Sequence, residues 1–268
     1  MDWDAAYNNR STVDNFEDFL NRWTRDAAAF RESLIATGHA TINQQYGSAE
    51  RNRFDLFLPK SSPLGLVVFI HGGYWRSLDK SYWSHLSQGC LDHGWAFAIP
   101  GYTLAPQARI QEITREITGA IRHLASRVDG PIRLSGHSAG GHLVSRMHCR
   151  DSGLDPSTRD RIANTVAVSG VFDLEHLPKT AMNADLQIDA NDIETESPAR
   201  LLPHDGARIH CVVGGDELAE FRRQNELLDR WNGHGATVTT QTASGHNHFS
   251  IVEPLAKADS FLVRALLG

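Results

Sequence analysis

The feature that most constrains this chain is a run of five residues, Gly136-His137-Ser138-Ala139-Gly140. It follows the apolar stretch 131–134 (PIRL) and precedes 141–147 (GHLVSRM), so a buried strand runs into a helix through a turn with a serine at its tip. A turn this tight forces the serine into strained backbone angles, and the residues two places either side must be very small; here both are glycine. Such a serine stands clear of the sheet at a helix N-terminus, where free N–H groups and the helix dipole favour developing negative charge. Strand, G-x-S-x-G, helix is the context of a nucleophile elbow. It commits the chain to strands alternating with helices.

The remaining segments fit that frame. Residues 64–70 (LGLVVFI), 95–100 (WAFAIP), 165–169 (TVAVS) and 209–213 (IHCVV) are short apolar runs, the signature of parallel strands covered on both faces. Residues 236–242 (ATVTTQT) alternate as a last strand, and 40–46 and 54–58 add two more near the start. Helices are expected over 12–35, 81–93, 110–128, 219–231 and 251–267, with loops and a short helix at 197–201 in the aperiodic stretch 177–202. The clearest apolar stripe is Ile110, Ile113, Ile117, Ile121, Leu124 and Val128. About eight mostly parallel strands with helices on both faces make an α/β fold. No Gly-, Ser- or Pro-rich linker divides the 268 residues, which read as one domain over 1–268. Within it, residues 1–38 form an N-terminal helical segment, packed on the core or capping the site.

Composition removes several classes of function. A net charge of −6 with no basic block argues against nucleic acid and anionic membrane surfaces as partners. No apolar run is long enough to span a bilayer, and the acidic start Met1-Asp2-Trp3-Asp4 is unlike a signal peptide, which points to the cytoplasm. Cys90, Cys149 and Cys211 lack metal-type spacing and read as free buried thiols. Fourteen histidines invite a metal, but no HExxH motif or Cys/His cluster accompanies His246-x-His248, so neither metal nor cofactor is expected. A homodimer is the default prior for a symmetric enzyme.

The chemistry needs more than the serine. His71-Gly72-Gly73-Tyr74-Trp75-Arg76 follows the 64–70 strand, and glycines there let backbone N–H groups approach a substrate oxygen. Gly72, Gly73 and Ala139 are the expected oxyanion donors. A serine alcohol also needs a base within reach, and that base needs a carboxylate to fix its tautomer. In α/β-hydrolases the order is serine, acid, histidine, each on a loop after a strand. This chain offers Ser138, then Asp216 or Glu217, then His246 or His248. His137 and His142 flank the serine, but turn and helix geometry point them away, so they read as packing groups or as groups that support the reacting residues from behind. An inactive binding module built on the same fold would have lost one member of the set, and none is missing.

His71-Gly72-Gly73-Tyr74-Trp75-Arg76, Gly136-His137-Ser138-Ala139-Gly140-Gly141-His142-Leu143, the run from Glu217 through Phe221 to Gln224, and His248-Phe249-Ser250-Ile251-Val252-Glu253 together resemble the kynurenine formamidase (arylformamidase) branch of the α/β-hydrolases. Tyr7-Asn8-Asn9-Arg10 is similar to that branch as well. The H-G-G and G-x-S-A-G pieces are shared with hormone-sensitive-lipase-like esterases; the other motifs are narrower. The resemblance implies an α/β-hydrolase fold. It places the acid on Glu217 in preference to Asp216 and the base on His248, leaving His246 at the rim. It further implies a carboxylesterase or arylformamidase acting on a small acyl or aryl ester or an aryl formamide, N-formylkynurenine among them, with Tyr74 and Trp75 stacking the aryl ring.

Overall fold

A computed structural model describes residues 1–268. Eight strands form one sheet: β1 (Ala40–Gln45), β2 (Arg53–Phe57), β3 (Leu66–Ile70), β4 (Ala96–Pro100), β5 (Ile132–His137), β6 (Ile162–Val168), β7 (Arg208–Gly214) and β8 (Thr237–Ala243). Their spatial order is β1-β2-β4-β3-β5-β6-β7-β8. β2 pairs antiparallel with both β1 and β4, and every other pair is parallel. This is the mostly parallel α/β-hydrolase sheet expected from the sequence. All five residues of β3 and of β4 are buried, which is why neither shows polar alternation.

Alternation along the strands divides the core in two. Leu66, Val68 and Ile70 of β3 face the Ile110–Ala125, Ala139–Arg146 and Ala219–Glu226 helices. Val67 and Phe69 face the Phe16–Ala36 and Phe261–Leu267 helices on the other side. The isoleucine stripe of the Ile110–Ala125 helix is fully buried as read from its spacing. Trp23, 2% exposed, anchors the Phe16–Ala36 helix against Trp83, ring centroids 4.6 Å apart. Burying a large apolar side chain of this kind stabilises by about 1.5–3 kcal/mol. The N-terminal helix is therefore part of the core on its face. All three cysteines are free and buried.

Several helices differ from expectation, each for a local reason. The 81–93 segment breaks into 3-10 turns at Lys80–Tyr82 and Ser84–Ser87 and one α-turn at Gln88–Leu91. Its serines compete for the backbone, Ser87 Oγ donating to the Ser84 carbonyl at 2.7 Å. The last helix is two pieces, a 3-10 segment Ser250–Ala256 containing Pro254 and an α-helix Phe261–Leu267 restarted by the Ser260 cap. The 219–231 helix is α only over Ala219–Glu226 and continues as 3-10 turns. In the aperiodic stretch, the expected 197–201 helix is a 3-10 turn at Pro198–Arg200, and a helix not anticipated, Ala190–Glu196, starts on the Asp189 side chain.

The loop after β3 is tied to the sheet by a buried ion pair. Lys80 Nζ lies 2.6 Å from Asp55 Oδ1 on β2 and 2.7 Å from Asn43 Oδ1. Both charged side chains are sequestered, 6% and 0% exposed. Removing one partner strands the other, so Asp55→Ala should lose roughly 3–5 kcal/mol of unfolding free energy. The urea midpoint should fall at unchanged slope; a shift below about 1 kcal/mol would show that the pair carries little.

Buried histidines make the fold less stable in acid. Burial pushes His71 and His148 down to about 4 and His142 down to about 3. The unfolded chain takes up these protons near pH 6.5, before the fold does, so their stabilisation is complete above about 6.5 and is lost as pH falls towards 4. His148 Nε2 meets Thr165 Oγ1 at 2.7 Å, a contact glutamine can keep without titrating. His148→Gln should flatten the decline of urea stability between about pH 6.5 and 4; an unaltered slope would contradict this assignment.

Candidate active site

β5 runs through His137, and the Ala139–Arg146 helix begins directly after Ser138, which sits at φ 56° and ψ −117°. These angles are strained for any residue but glycine. The flanking glycines are required by space. A Cβ on Gly136 would lie 2.2 Å from the Gly140 carbonyl oxygen, and one on Gly140 1.9 Å from that of Ile70. The Ser138 N–H donates to Val168 at 2.8 Å, locking the elbow onto the end of β6.

The loop after β3 comes up against this elbow. A Cβ on Gly72 would sit 3.0 Å from that of Ser138, and one on Gly73, at φ +112°, only 2.2 Å from the Ser77 carbonyl. The Gly72 and Gly73 N–H groups are not spent on any backbone carbonyl, and Ala139 opens its helix, where N–H groups have no intrahelical partner. Gly72, Gly73 and Ala139 thus converge beside the serine.

Glu217 follows β7 and His248 follows β8. Glu217 Oε2 accepts from His248 Nδ1 at 2.6 Å, and both side chains are buried. The other carboxylate oxygen accepts from Ser169 Oγ at 2.5 Å and from the Gly214 N–H at 2.7 Å. A buried carboxylate is tolerated only when so compensated. Because the carboxylate takes the proton on Nδ1, Nε2 is left as the basic nitrogen of His248. Asp216 is exposed, its N–H donating to the His246 carbonyl at 3.0 Å. His246 packs beside Phe261, ring centroids 5.7 Å apart. Of the alternatives left by the sequence, Glu217 and His248 are the pair brought together.

Ser138, His248 and Gly73 line one cavity of about 520 Å³. Phe16, Trp23, Trp83 and Phe249 supply its aromatic wall, and Asn9 and Tyr74 part of its polar wall. Two expectations are corrected here. Trp75 does not reach the cavity: it is fully buried and packs edge-on against His142, ring centroids 5.0 Å apart. Tyr74 and Trp75 both have positive φ (50° and 54°), and the turn sends Tyr74 to the cavity and Trp75 into the core. His137, expected to point away, also lines the cavity. β5 extends through it, and alternation puts its ring on the Trp83 side. His142 behaves as a packing group, its Nε2 held by the Glu196 carbonyl at 2.6 Å.

Some of the surrounding structure was not read from sequence. Ser169, at φ 50°, supports Glu217 from the end of β6. Tyr74 Oη donates to the Tyr7 carbonyl at 2.6 Å and accepts from Asn9 Nδ2 at 3.2 Å, while Tyr7 Oη donates to Glu220 Oε1 at 2.9 Å. Tyr7-Asn8-Asn9-Arg10 and the Glu220-Phe221 run stood out as motifs. Nothing in their spacing joined two segments 213 residues apart.

Known proteins are similar to this chain over most of its length. The BD-FAE family model matches residues 54–202. The kynurenine formamidase of Danio rerio is 30% identical over 235 residues, covering 83% of this chain and 79% of its own. That of Salmo salar is 28% identical, covering 84% and 80%. A crystal structure from a Silicibacter species, provisionally named a thioesterase, is 41% identical with a TM-score of 0.93 and covers 100% of both chains. With a family model spanning over half its length and the zebrafish enzyme matched along most of both chains, the protein belongs to the BD-FAE family and to the kynurenine formamidase-like branch of the α/β-hydrolases.

Proposed function

We propose that the protein is a serine hydrolase cleaving a small acyl or aryl ester, or an aryl formamide, through an acyl-enzyme. The observation that carries this reading is the buried 2.6 Å bond from His248 Nδ1 to Glu217, with His248 and the strained Ser138 lining one cavity. His248 Nε2 takes the proton from Ser138 Oγ as that oxygen bonds to the substrate carbonyl carbon. The tetrahedral oxyanion is held by N–H groups of Gly72, Gly73 and Ala139. Collapse breaks the bond to the leaving group, which leaves with the proton held by His248. Water then attacks the acyl-enzyme, gives its proton to His248, and the second collapse returns a proton to Ser138. Glu217 keeps the imidazole in the Nδ1–H tautomer and stabilises the imidazolium.

The aromatic wall of Phe16, Trp23, Trp83 and Phe249 suits a flat ring, and Tyr74 lines the same cavity. N-formylkynurenine is the narrower reading, favoured by the formamidase relatives and the N-terminal motif seated on Tyr74. Turnover of N-formylkynurenine against p-nitrophenyl acetate and a short acyl thioester on the purified protein separates formamidase from general esterase and thioesterase.

Ser138→Ala should lower kcat on an activated ester by at least ~10⁴-fold, and Glu217→Gln by about 10⁴-fold, with the fold intact by circular dichroism. Residual turnover within about tenfold of wild type in Ser138→Ala would exclude the proposed nucleophile. Gly73→Ala forces its loop away from Ser77 and should cost about 10²–10³ in kcat, the worth of one oxyanion donor. An unchanged kcat would remove that loop from the mechanism.

A further inference from the structure

We infer that His137 is a positioning residue: its Nε2–H, donated to the main-chain carbonyl of His248, sets where the base stands relative to Ser138. The inference rests on the serine hydrolase reading and adds one residue to it. His137 Nε2 lies 2.8 Å from the His248 carbonyl oxygen. A carbonyl only accepts, so that nitrogen carries the proton and the ring is the Nε2–H tautomer. Nδ1 is buried without a partner, on the side of Gly72, where a Cβ would lie 3.2 Å from it. With one nitrogen bonded and the other facing a glycine, nothing competes for the orientation of the ring.

What the bond joins gives it its importance. His137 is covalently attached to Ser138, and the acceptor is the backbone of the base itself. The remaining hydrogen bonds of the His248 loop are internal or run to the loop after β7: Asn247 Oδ1 accepts from the Phe249 and Ser250 N–H groups, Ser250 Oγ accepts from the Asn247 N–H, and the His246 carbonyl accepts from the Asp216 N–H. None of these reaches the elbow. Glu217 holds the imidazole at Nδ1 and His137 holds the main chain, so the base is fixed from two sides. Burial keeps the His137 ring well below its ordinary proton affinity. A neutral ring 4.7 Å from that of His248 does not repel the imidazolium formed during turnover. Packing alone would require no donor at this position.

Glutamine and methionine are alike in length, and only glutamine keeps an N–H donor near the Nε2 position. His137→Gln should retain kcat within about threefold, whereas His137→Met should lower it about 10- to 100-fold with KM within about twofold, because an ångström of misplacement costs on the order of 10². The rate of fluorophosphonate labelling should fall with kcat. Equal kcat in the two variants, or a raised KM with kcat intact in His137→Met, overturns the inference. Nitrogen-15 NMR of the wild-type imidazoles tests it without any variant: His137 should be the Nε2–H tautomer, and an Nδ1–H tautomer overturns it. Wild-type protein that resists fluorophosphonate overturns the hydrolase reading, and this inference with it. Labelled wild type beside a fully active His137→Met variant overturns the inference alone.

Discussion

The site depends on one buried carboxylate. Glu217 is out of water, and an ion there is tolerable only if its lone pairs are all engaged. Its three partners are Ser169 Oγ, the Gly214 N–H and His248 Nδ1, which come from the loop after β6, the last residue of β7 and the loop after β8. The same requirement that makes the charge tolerable therefore clamps three neighbouring strand ends together. It also decides the chemistry of His248: with Nδ1 committed, only Nε2 is left to act as base. Ser169 holds φ 50° and Ser138 φ 56°, so strain is concentrated at two strand ends that meet in this region.

A second set of contacts closes the cavity from the N-terminus. The Tyr7–Arg10 segment lies across the loop after β3, with Tyr74 Oη bonded to the Tyr7 carbonyl and Asn9 bonded to Tyr74. Tyr7 Oη and Gln224 both reach Glu220, and Gln224 Oε1 accepts from the Phe172 and Asp173 N–H groups after β6. Burial raises the Tyr7 and Tyr74 phenols well above their ordinary range, so both remain proton donors. The loop bearing Gly72 and Gly73 thus lies against Ser138, is bonded to the N-terminal segment through Tyr74, and is tied to the sheet by the Lys80–Asp55 pair.

Sequence carried most of this because the fold rests on patterns that local chemistry imposes. All eight strands were legible as short apolar or alternating runs, and the elbow declared itself through two glycines that space requires. Helices were legible where burial makes one continuous stripe, as in Ile110–Ala125, and illegible where serine, glycine or proline breaks the backbone ladder, as around Ser84–Ser87 and Pro254. Glu217 and Asp216 are adjacent, and spacing alone could not separate them; burial of one and exposure of the other does. The direction of Trp75 and His137 was beyond reach for a different reason. Each depends on backbone angles or strand extent at a single residue, and a shift of one position reverses the face.

The central claim is that an alcohol, an imidazole and free peptide amides act on one carbonyl carbon. A crystal structure of the protein after reaction with an aryl phosphonate tests this most directly. The account predicts phosphorus bonded to Ser138 Oγ, its oxygen about 2.7–3.1 Å from the N–H groups of Gly73 and Ala139, and His248 Nε2 on the leaving-group side. Phosphorus on another residue, or on Ser138 with its oxygen turned away from those amides, would contradict it.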